Sequence, residues 1–573
     1  MPQATLYDNP SSKSSMTPDT KKGEFNKRFE AMKSKAQNYV ASWKDQVKYL
    51  NPTRGLFDGQ KADRGKMIDH KVILDSHATL AIRKSASGLN SGMTSKNRPW
   101  FRLMISDPGL SEIPHVRMWL DDIQNRMYDI LKGSNIYGTF QNTYEELLTF
   151  GTACFILLED FDTVIRTRNF TIGEYYLAVD KAGRVNAFAR AFEMTVAQMV
   201  STFGYRNCPP NVQADWDSNY VDRTHMVRHL IEDNDNPAGM MPQFTMMPYR
   251  SVYWVQGESQ GGRFLDVRGY KRFPVVAPRW SVPTTDIIYG YGPGWDGLGD
   301  VKELQKTKYD KLLAQAKIHN PPMQADATVD GHPNLMPGGV TKTSANVPNA
   351  GLTPAYQINP NLESFIEAIT ECKKGIDKHF FTDLFTMISA IDYGQVTAME
   401  IAEKNNEKIQ LMGPVLDQLD EEMLSRVVAL VWGIMEDNGF IPPPPPEVEG
   451  HEIKVQYISI LAQMQKAVGT QKIEKVVAFV GSLAEAMPSI ADNINWDESV
   501  RLYSDLEGAP EKILQDPAVV DEIRQNRAKQ EQAQQALASA ESGSKTAKNL
   551  SETKLDEGTM LDTVKQAVQT QQQ

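Results

Sequence analysis

Cysteine is nearly absent from this chain. Its 573 residues hold three, Cys154, Cys208 and Cys372, widely spaced and in no CxxC pair. A disulfide framework or a thiolate zinc site is therefore not expected, and a reducing compartment is the simplest home. No GxxxxGK[ST] stretch occurs, so no phosphate loop is available to hold a nucleoside triphosphate. GxSxG and HExxH are missing as well. His70 and His77 stand two turns apart, as do Cys372 and His379, but no acids or cysteines flank them at metal-site spacing. They read as helix-surface or core polar residues. Acids are plentiful on amphipathic stretches and read as solvated faces, with no marked acid–base pair. No catalytic residue, cofactor site or metal site is expected.

Long apolar runs are also scarce. The longest, residues 427 to 435, is far shorter than a bilayer span, and residues 1 to 8 are polar. A soluble chain with no secretory leader and no membrane partner is the expectation. Positive charge is in deficit, with a net charge of −11. A static nucleic-acid binder gains affinity by neutralising phosphates, so tight, fixed DNA binding is disfavoured. A surface past which DNA slides is compatible with this balance.

What is present is ordinary globular composition, 41% hydrophobic and 23% charged, in a chain long enough for several lobes. After a loose arm, residues 1–22, the residues Phe25, Phe29, Met32, Ala36, Val40, Trp43, Val47 and Leu50 fall on one helical face that Asn51-Pro52 should end. Helices are predicted over 72–93 and 112–132, with a strand over 100–105 between them. Segments 154–158, 164–168, 175–179, 225–231 and 251–255 are short, β-branched or aromatic, and predict an antiparallel lobe with one helix near 196–203. The chain then turns helical over 297–319, until Asn320-Pro-Pro322, and again over 362–384. A short loop, 385–395, leads into a long helix. On that helix Ile409, Met412, Leu416, Leu419, Met423, Val427, Leu430 and Ile434 recur in steps of three and four, and Gly413-Pro414 should bend it. The proline run 442–446 reads as a stiff spacer and domain boundary, followed by a helical lobe and a Gln/Ala-rich tail. The fold class is α+β.

Gly292-Pro-Gly294-Trp-Asp-Gly297 matches GxGxxG, but Pro278 and Pro283 interrupt its approach and Asn320-Pro-Pro322 follows its helix, where the fingerprint needs a second strand ending in an acid. It reads as a glycine-rich turn feeding a helix. Lys302, Lys306, Lys308, Lys311 and Lys317 lie among acids on the 297–319 helix, and Lys373, Lys374 and Lys378 lie on the next. Ordinary charged faces and a contact surface explain these lysines equally well.

Six segments in order resemble the head-to-tail connecting (portal) proteins of podovirus-type bacteriophages. They are Leu50-Asn-Pro-Thr-Arg-Gly55; Asp75-Ser-His-Ala-Thr-Leu with Ser87-Gly-Leu-Asn-Ser-Gly-Met93; Arg98-Pro-Trp-Phe101; Phe150-Gly-Thr-Ala-Cys154; Pro278-Arg-Trp280 with Tyr289-Gly-Tyr-Gly-Pro293; and Thr397-Ala-Met-Glu with Leu411-Met-Gly-Pro414. Trp295 stands where the family more often has a small residue, and Ala398-Met399 where it often carries a charge.

The resemblance implies a ring of about a dozen copies at one capsid vertex, closed by heterologous interfaces. It implies a wing (23–296), stem helices (297–319 and 362–384) around a small clip (320–361), and a tunnel loop (385–395). A long kinked helix (396–440), a Pro-rich linker (441–451), a helical crown (452–523) and a tail (524–573) would follow. Partners implied are further copies of the chain, double-stranded DNA passing without sequence specificity, major capsid and scaffolding proteins, the terminase large subunit, and tail adaptor or nozzle proteins. The location implied is the virion's head–tail vertex, reached from the host cytoplasm during assembly. Lys302, Lys306, Lys373, Lys374, Lys378, Ile391, Asp392, Tyr393 and Gln395 become candidates for the channel wall, and Gly413 and Pro414 for the kink. A packaging motor with enzymatic activity and a tail-adaptor ring protein are the alternatives.

Overall fold

The structure is a computed structural model that describes residues 18–57, 72–107, 110, 113–234, 247–257, 264–325, 329, 332–334, 342, 352–354, 361–391, 398–448, 450–461, 479–480, 482–483, 494–507, 515 and 519–534. Within these, the side chains of 18–21, 352–353, 388–407 and 502–507 are not described. His70, Asp392, Tyr393, Gln395, most of the clip and the tail beyond 534 lie outside the described residues, as do residues 1–17 of the arm. The chain divides into two compact units, Met1–Lys472 and Ile473–Gln573.

Helix α1 (Pro18–Tyr49) starts earlier than its apolar face suggested and stops before Asn51-Pro52 as expected. Helix α2 (His77–Met93), strand β1 (Phe101–Ile105) and helix α3 (Pro114–Gly133) follow the predicted order. Pro114 suits the first turn of α3, where a backbone N–H has no partner to lose. Helix α4 (Ile136–Phe150) escaped the sequence reading. Its buried residues include Ile136, Tyr137, Phe140, Thr143, Tyr144, Glu146, Leu147, Leu148 and Phe150, which cover most of its circumference and leave only a narrow outward stripe of Gly138, Gln141, Asn142 and Glu145.

Strands β2 (Cys154–Asp160), β3 (Val164–Phe170), β4 (Tyr175–Val179) and β5 (Val185–Thr195) come next. Helix α5 (Val196–Phe203) sits where predicted. Its boundary is fixed by a capping box, in which Thr195 accepts from the Gln198 amide and the Gln198 side chain accepts from the Thr195 amide. Helix α6 (Pro210–Asp217) and strands β6 (Thr224–Asp233), β7 (Tyr249–Val255), β8 (Asp266–Tyr270) and β9 (Val275–Val276) complete the lobe. Two antiparallel sheets result, ordered β3-β2-β9 and β4-β5-β6-β7-β8. Side chains alternate between sheet faces. One face of the larger sheet carries Trp254 and Arg228, which both bond Asn26 of α1, and Arg228 also pairs with Glu30 at 2.6 Å. The opposite face carries Phe188, whose ring meets Phe170 of the smaller sheet at 5.2 Å. The lobe is thus a helix, a five-stranded sheet and a three-stranded sheet in layers.

After the lobe come α7 (Leu298–His319), a two-stranded ribbon of β10 (Met323–Ala325) and β11 (Leu352–Pro354), α8 (Leu362–His379), α9 (Thr382–Ile391) and α10 (Ala398–Leu419). A π-helical turn, Asp420–Leu424, joins α10 to α11 (Ser425–Asp437). Two expectations are corrected here. The helix expected over 362–384 ends at His379, and residues 382–391 form a helix where the loop 385–395 was expected.

A third correction concerns the C-terminal boundary. Residues 453 to 457 form strand β12 (Ile453–Tyr457), which pairs antiparallel with β1 from Phe101↔Tyr457 to Ile105↔Ile453. The chain therefore returns to the first unit's core after the proline run. The run is tied down as well: the indole N–H of Trp119 donates to the Pro442 carbonyl at 3.1 Å. The division between units falls after Lys472, not at the prolines. In the second unit, helix α12 (Trp496–Glu507) carries Asp497, which takes both guanidinium nitrogens of Arg524 at 2.6 Å.

Candidate functional site

The five lysines singled out for the channel lie on a helical hairpin made of α7 and α8. Its foundation is the glycine turn before α7. A Cβ on Gly294 would collide with the Thr149 carbonyl, and one on Gly292 would lie 2.7 Å from the Leu147 carbonyl. The turn therefore presses backbone to backbone on the end of α4, and Trp295 donates its indole N–H to the Phe150 carbonyl at 3.1 Å. The GxGxxG letters are a packing device, not a nucleotide fingerprint. Two segments of the resemblance meet here, with Ala153 N donating to Pro278 O, Trp280 N to Gly151 O, and Gly290 N to Thr152 Oγ1.

The start of α7 faces the end of α8, so the two run antiparallel. Asp300 Oδ2 lies 3.4 Å from His379 Nε2, and Gly375 leaves room for that carboxylate, because a Cβ there would collide with it. Burial is confined to the base: Val301, Leu304 and Gln305 on α7, and Ile369, Cys372 and Ile376 on α8. Beyond Gln305 no residue of α7 is buried, yet Tyr309, Leu312, Leu313 and Ile318 stand exposed, as does Ile366 on α8. Apolar residues exposed along both helices of a protruding hairpin are the mark of a surface that something covers.

The segment before α2 clamps the hairpin. Gln305 Oε1 accepts the amides of Leu74 (2.7 Å) and Asp75 (3.0 Å), while its Nε2 donates to the Asp75 carbonyl (2.8 Å). The Asp75 carboxylate lies 3.0 Å from Lys373 Nζ and 3.6 Å from Lys308 Nζ, so one acid bridges both helices. Burial works to raise this carboxyl, but the hydrogen bonds from Lys373 and the His77 amide outweigh it and hold it below the usual carboxylate range.

These contacts sort the candidate lysines. Lys302 pairs with Asp45 at 2.7 Å and lies over the Tyr49 ring, Lys306 pairs with Asp310 at 2.9 Å, and Lys373 is held by Asp75. Lys374 and Lys378 are exposed and have no ion partner among the described residues. The Ile391 backbone ends α9, and its side chain is not described.

The hairpin joins the core through a sharp corner. Phe381 takes a φ of 53°, a left-handed conformation uncommon for any residue but glycine. That corner lets Phe380, Leu384 and Phe385 all reach full burial. Ser85 of α2 donates to the Phe380 carbonyl at 2.7 Å, and Gly88 lets α9 lie directly on α2. A Cβ on Gly88 would collide with Phe385 Cβ and lie 2.5 Å from the Phe385 carbonyl. Gly88→Ala is therefore expected to push α9 away from α2 and lower stability by about 1–3 kcal/mol, read from a urea unfolding midpoint. Gly138→Ala on α4, where an added Cβ would meet nothing within 4 Å, is the control.

Comparison with known proteins identifies the family. Residues 22–514 match the profile of a family described as bacteriophage head to tail connecting protein. The portal protein of Salmonella phage epsilon15 is 33% identical over 556 residues, 97% of this chain and 100% of its own. A probable portal protein of Bordetella phage BPP-1 is 35% identical over 524 residues, 91% of this chain and 94% of its own. The chain belongs to the bacteriophage head-to-tail connecting protein family. Among solved structures, a chain from the virion of a native gene transfer agent particle matches 75% of this connector chain and 89% of its own. Identity there is 12% and the TM-score 0.31, a superposition too loose to carry an argument.

Behind the hairpin, the connector's long helix holds a node that sequence reading missed. Gly413 is half-buried and Pro414 exposed inside α10, and the change of helical pitch lies beyond them, at the π-turn Asp420–Leu424. Such turns recur at functional positions. Here the wider turn buries three consecutive residues, Glu422, Met423 and Leu424. Glu422 receives the Arg279 amide (2.9 Å) and the Arg279 Nε (3.0 Å) and forms a short ion pair with its Nη2. Two further Arg279 N–H groups donate to the carbonyls of Ile287 (2.9 Å) and Gly183 (2.7 Å). Asp420, at the head of the turn, has no basic partner among the described residues. Burial, then the charge of Asp417, pushes its carboxyl up to about 7. Glu146 on α4 is also pushed up to about 7 by burial, against the pull of Arg54 and a hydrogen bond from Thr171.

Proposed function

We propose that this connector chain is the subunit of the ring that closes one capsid vertex of a short-tailed phage. Double-stranded DNA would be packaged and later ejected through the ring. The observation that carries this reading is the antiparallel hairpin of α7 and α8, anchored at its base and exposing apolar residues along both helices. In a cyclic ring of about a dozen copies each hairpin packs on its neighbours, which covers such residues without a further protein. In this reading α7 and α8 are the stem, the ribbon of β10 and β11 belongs to the clip, and the layered lobe is the wing. The role is non-enzymatic, that of a channel and a docking platform. The terminase large subunit would dock first and tail adaptor or nozzle proteins later, with major capsid and scaffolding proteins around the wing. Assembly would take place in the host cytoplasm.

The lysine geometry narrows the DNA-facing set. Lys302, Lys306 and Lys373 spend their charge within the chain, so of the five lysine candidates Lys374 and Lys378 are left to brush phosphates. Rings carrying Lys374→Ala with Lys378→Ala should assemble normally but release packaged DNA about two- to tenfold faster as salt is raised, since each lost phosphate contact weakens binding. Rings with Lys306→Ala should retain DNA like the parent. Purified chain that stays monomeric under negative-stain microscopy would overturn the ring, and equal retention in both variants would overturn the lysine assignment.

A further inference from the structure

The wing lobe holds two arginines that the channel reading does not use. Arg168 lies on β3 and Arg190 on β5, so they belong to different sheets. Both sit over the same Phe170 ring, with guanidinium carbons 5.6 and 4.9 Å from its centroid, and Arg190 also lies 4.1 Å from the Phe192 centroid. Arg190 is 8% exposed, yet among the described residues neither arginine forms an ion pair with a carboxylate. Its Nε donates to His229 Nδ1 at 3.3 Å, so His229 carries its proton on Nε2 and gives it to Ser251 Oγ at 2.9 Å. His229 is therefore neutral and stacked on Tyr253 at 3.8 Å, and it offsets none of the charge. Arg268, the next arginine along the sheet, is already neutralised by Asp266 at 2.6 Å.

We propose that Arg168 and Arg190 form a site for one small oxyanion of the phosphate class, set between the two sheets of the wing lobe. The Arg190 guanidinium has more N–H donors than His229 and Tyr253 can accept. Its flat fork matches two oxygens of a tetrahedral anion. Burial presses the Arg190 guanidinium below the usual arginine range, and Arg168 adds to this against the opposing pull of Tyr253, so two cations lie close enough to feel each other. The acid that acts on Arg190, Glu174, does so more weakly than Arg168, and its Oε2 accepts from the Thr171 amide at 3.0 Å. A duplex backbone is too bulky to reach a guanidinium buried to this degree, whereas a free anion entering from the Arg168 side can. Bound there, it would tie the three-stranded sheet to the five-stranded one.

The probe is inorganic phosphate, titrated into the full chain at neutral pH with ionic strength held constant by chloride. Thermal midpoints and phosphorus NMR line widths are followed together. The expected result is a saturable rise in midpoint, as a ligand of the native state produces, with broadening of the phosphate line. Arg168→Gln, at an exposed position that should not disturb folding, is expected to move half-saturation upward by about tenfold, the loss of one charge-assisted contact. Arg168→Lys should recover part of it. A rise that never saturates, or one identical in Arg168→Gln, is the general salting effect of phosphate and overturns the proposal.

Discussion

Glu422→Gln is expected to cost about 3–5 kcal/mol, because it leaves the Arg279 guanidinium buried with its counter-charge removed. The Arg279 side chain is 4% exposed and that of Glu422 10%, so water cannot take over the lost role. A folded unit has roughly 5–15 kcal/mol in all, so the variant should yield little soluble ring at 37 °C and a clearly lower urea midpoint at 20 °C. Removing both charges together is a different matter. An apolar pair of similar volume, Arg279→Met with Glu422→Met, is expected to regain much of the loss, since desolvating the ions is no longer required. It will not regain all of it, because the Gly183 and Ile287 carbonyls lose their donors. The parent, Arg279→Met alone, Glu422→Met alone and the double variant form a cycle whose coupling should exceed about 2 kcal/mol. A Glu422→Gln chain as stable as the parent would show that the π-turn is held by its apolar neighbours alone.

That node also shows where sequence reading stopped. The steps of three and four through Leu416, Leu419, Met423 and Val427 gave the long helix correctly, because one apolar face is what such spacing means. They could not give the π-turn, since one extra residue in a turn leaves the apolar letters nearly unchanged. Glu422 was the available signal: an acid beside Met423 on the buried face needs a partner, and Arg279 stands in a recognisable segment. Helix α5 was legible because Thr195 and Gln198 make a capping box, whereas β5 was not, its run of Ala187, Ala189 and Ala191 being weak strand formers. The pairing of β1 with β12 joins residues some three hundred and fifty apart, which no local pattern encodes. Likewise the lysine list gave the helices but not the acids. Asp45 and Asp75 come from distant stretches and decide which lysines remain free.

Asp420→Asn is expected to stabilise the chain at alkaline pH and to flatten its pH dependence. The Asp420 carboxyl rises from 3.8 unfolded to about 7 folded, through burial and then Asp417. A raised value means that the folded state holds the proton more tightly. The associated stability is fully present below pH 3.8 and is lost as pH climbs through 7. At pH 8 the charged carboxylate therefore weighs against folding by on the order of 4 kcal/mol, about 1.4 for each of roughly three units of displacement. Asparagine keeps the shape and removes the charge, and among the described residues the Asp420 carboxylate has no hydrogen bond that the change would break. The urea midpoint of the parent should fall between pH 5.5 and 8, that of the variant should fall less, and the gap should widen with pH. A residual slope is expected in the variant because Glu146 titrates over the same range. Glu146 itself is a poor probe, since its replacement also removes the hydrogen bond from Thr171 and the contact with Arg54. Parallel curves for parent and variant would mean that Asp420 is solvated at the π-turn. The pH dependence near neutrality would then have to be sought at Glu146 of α4.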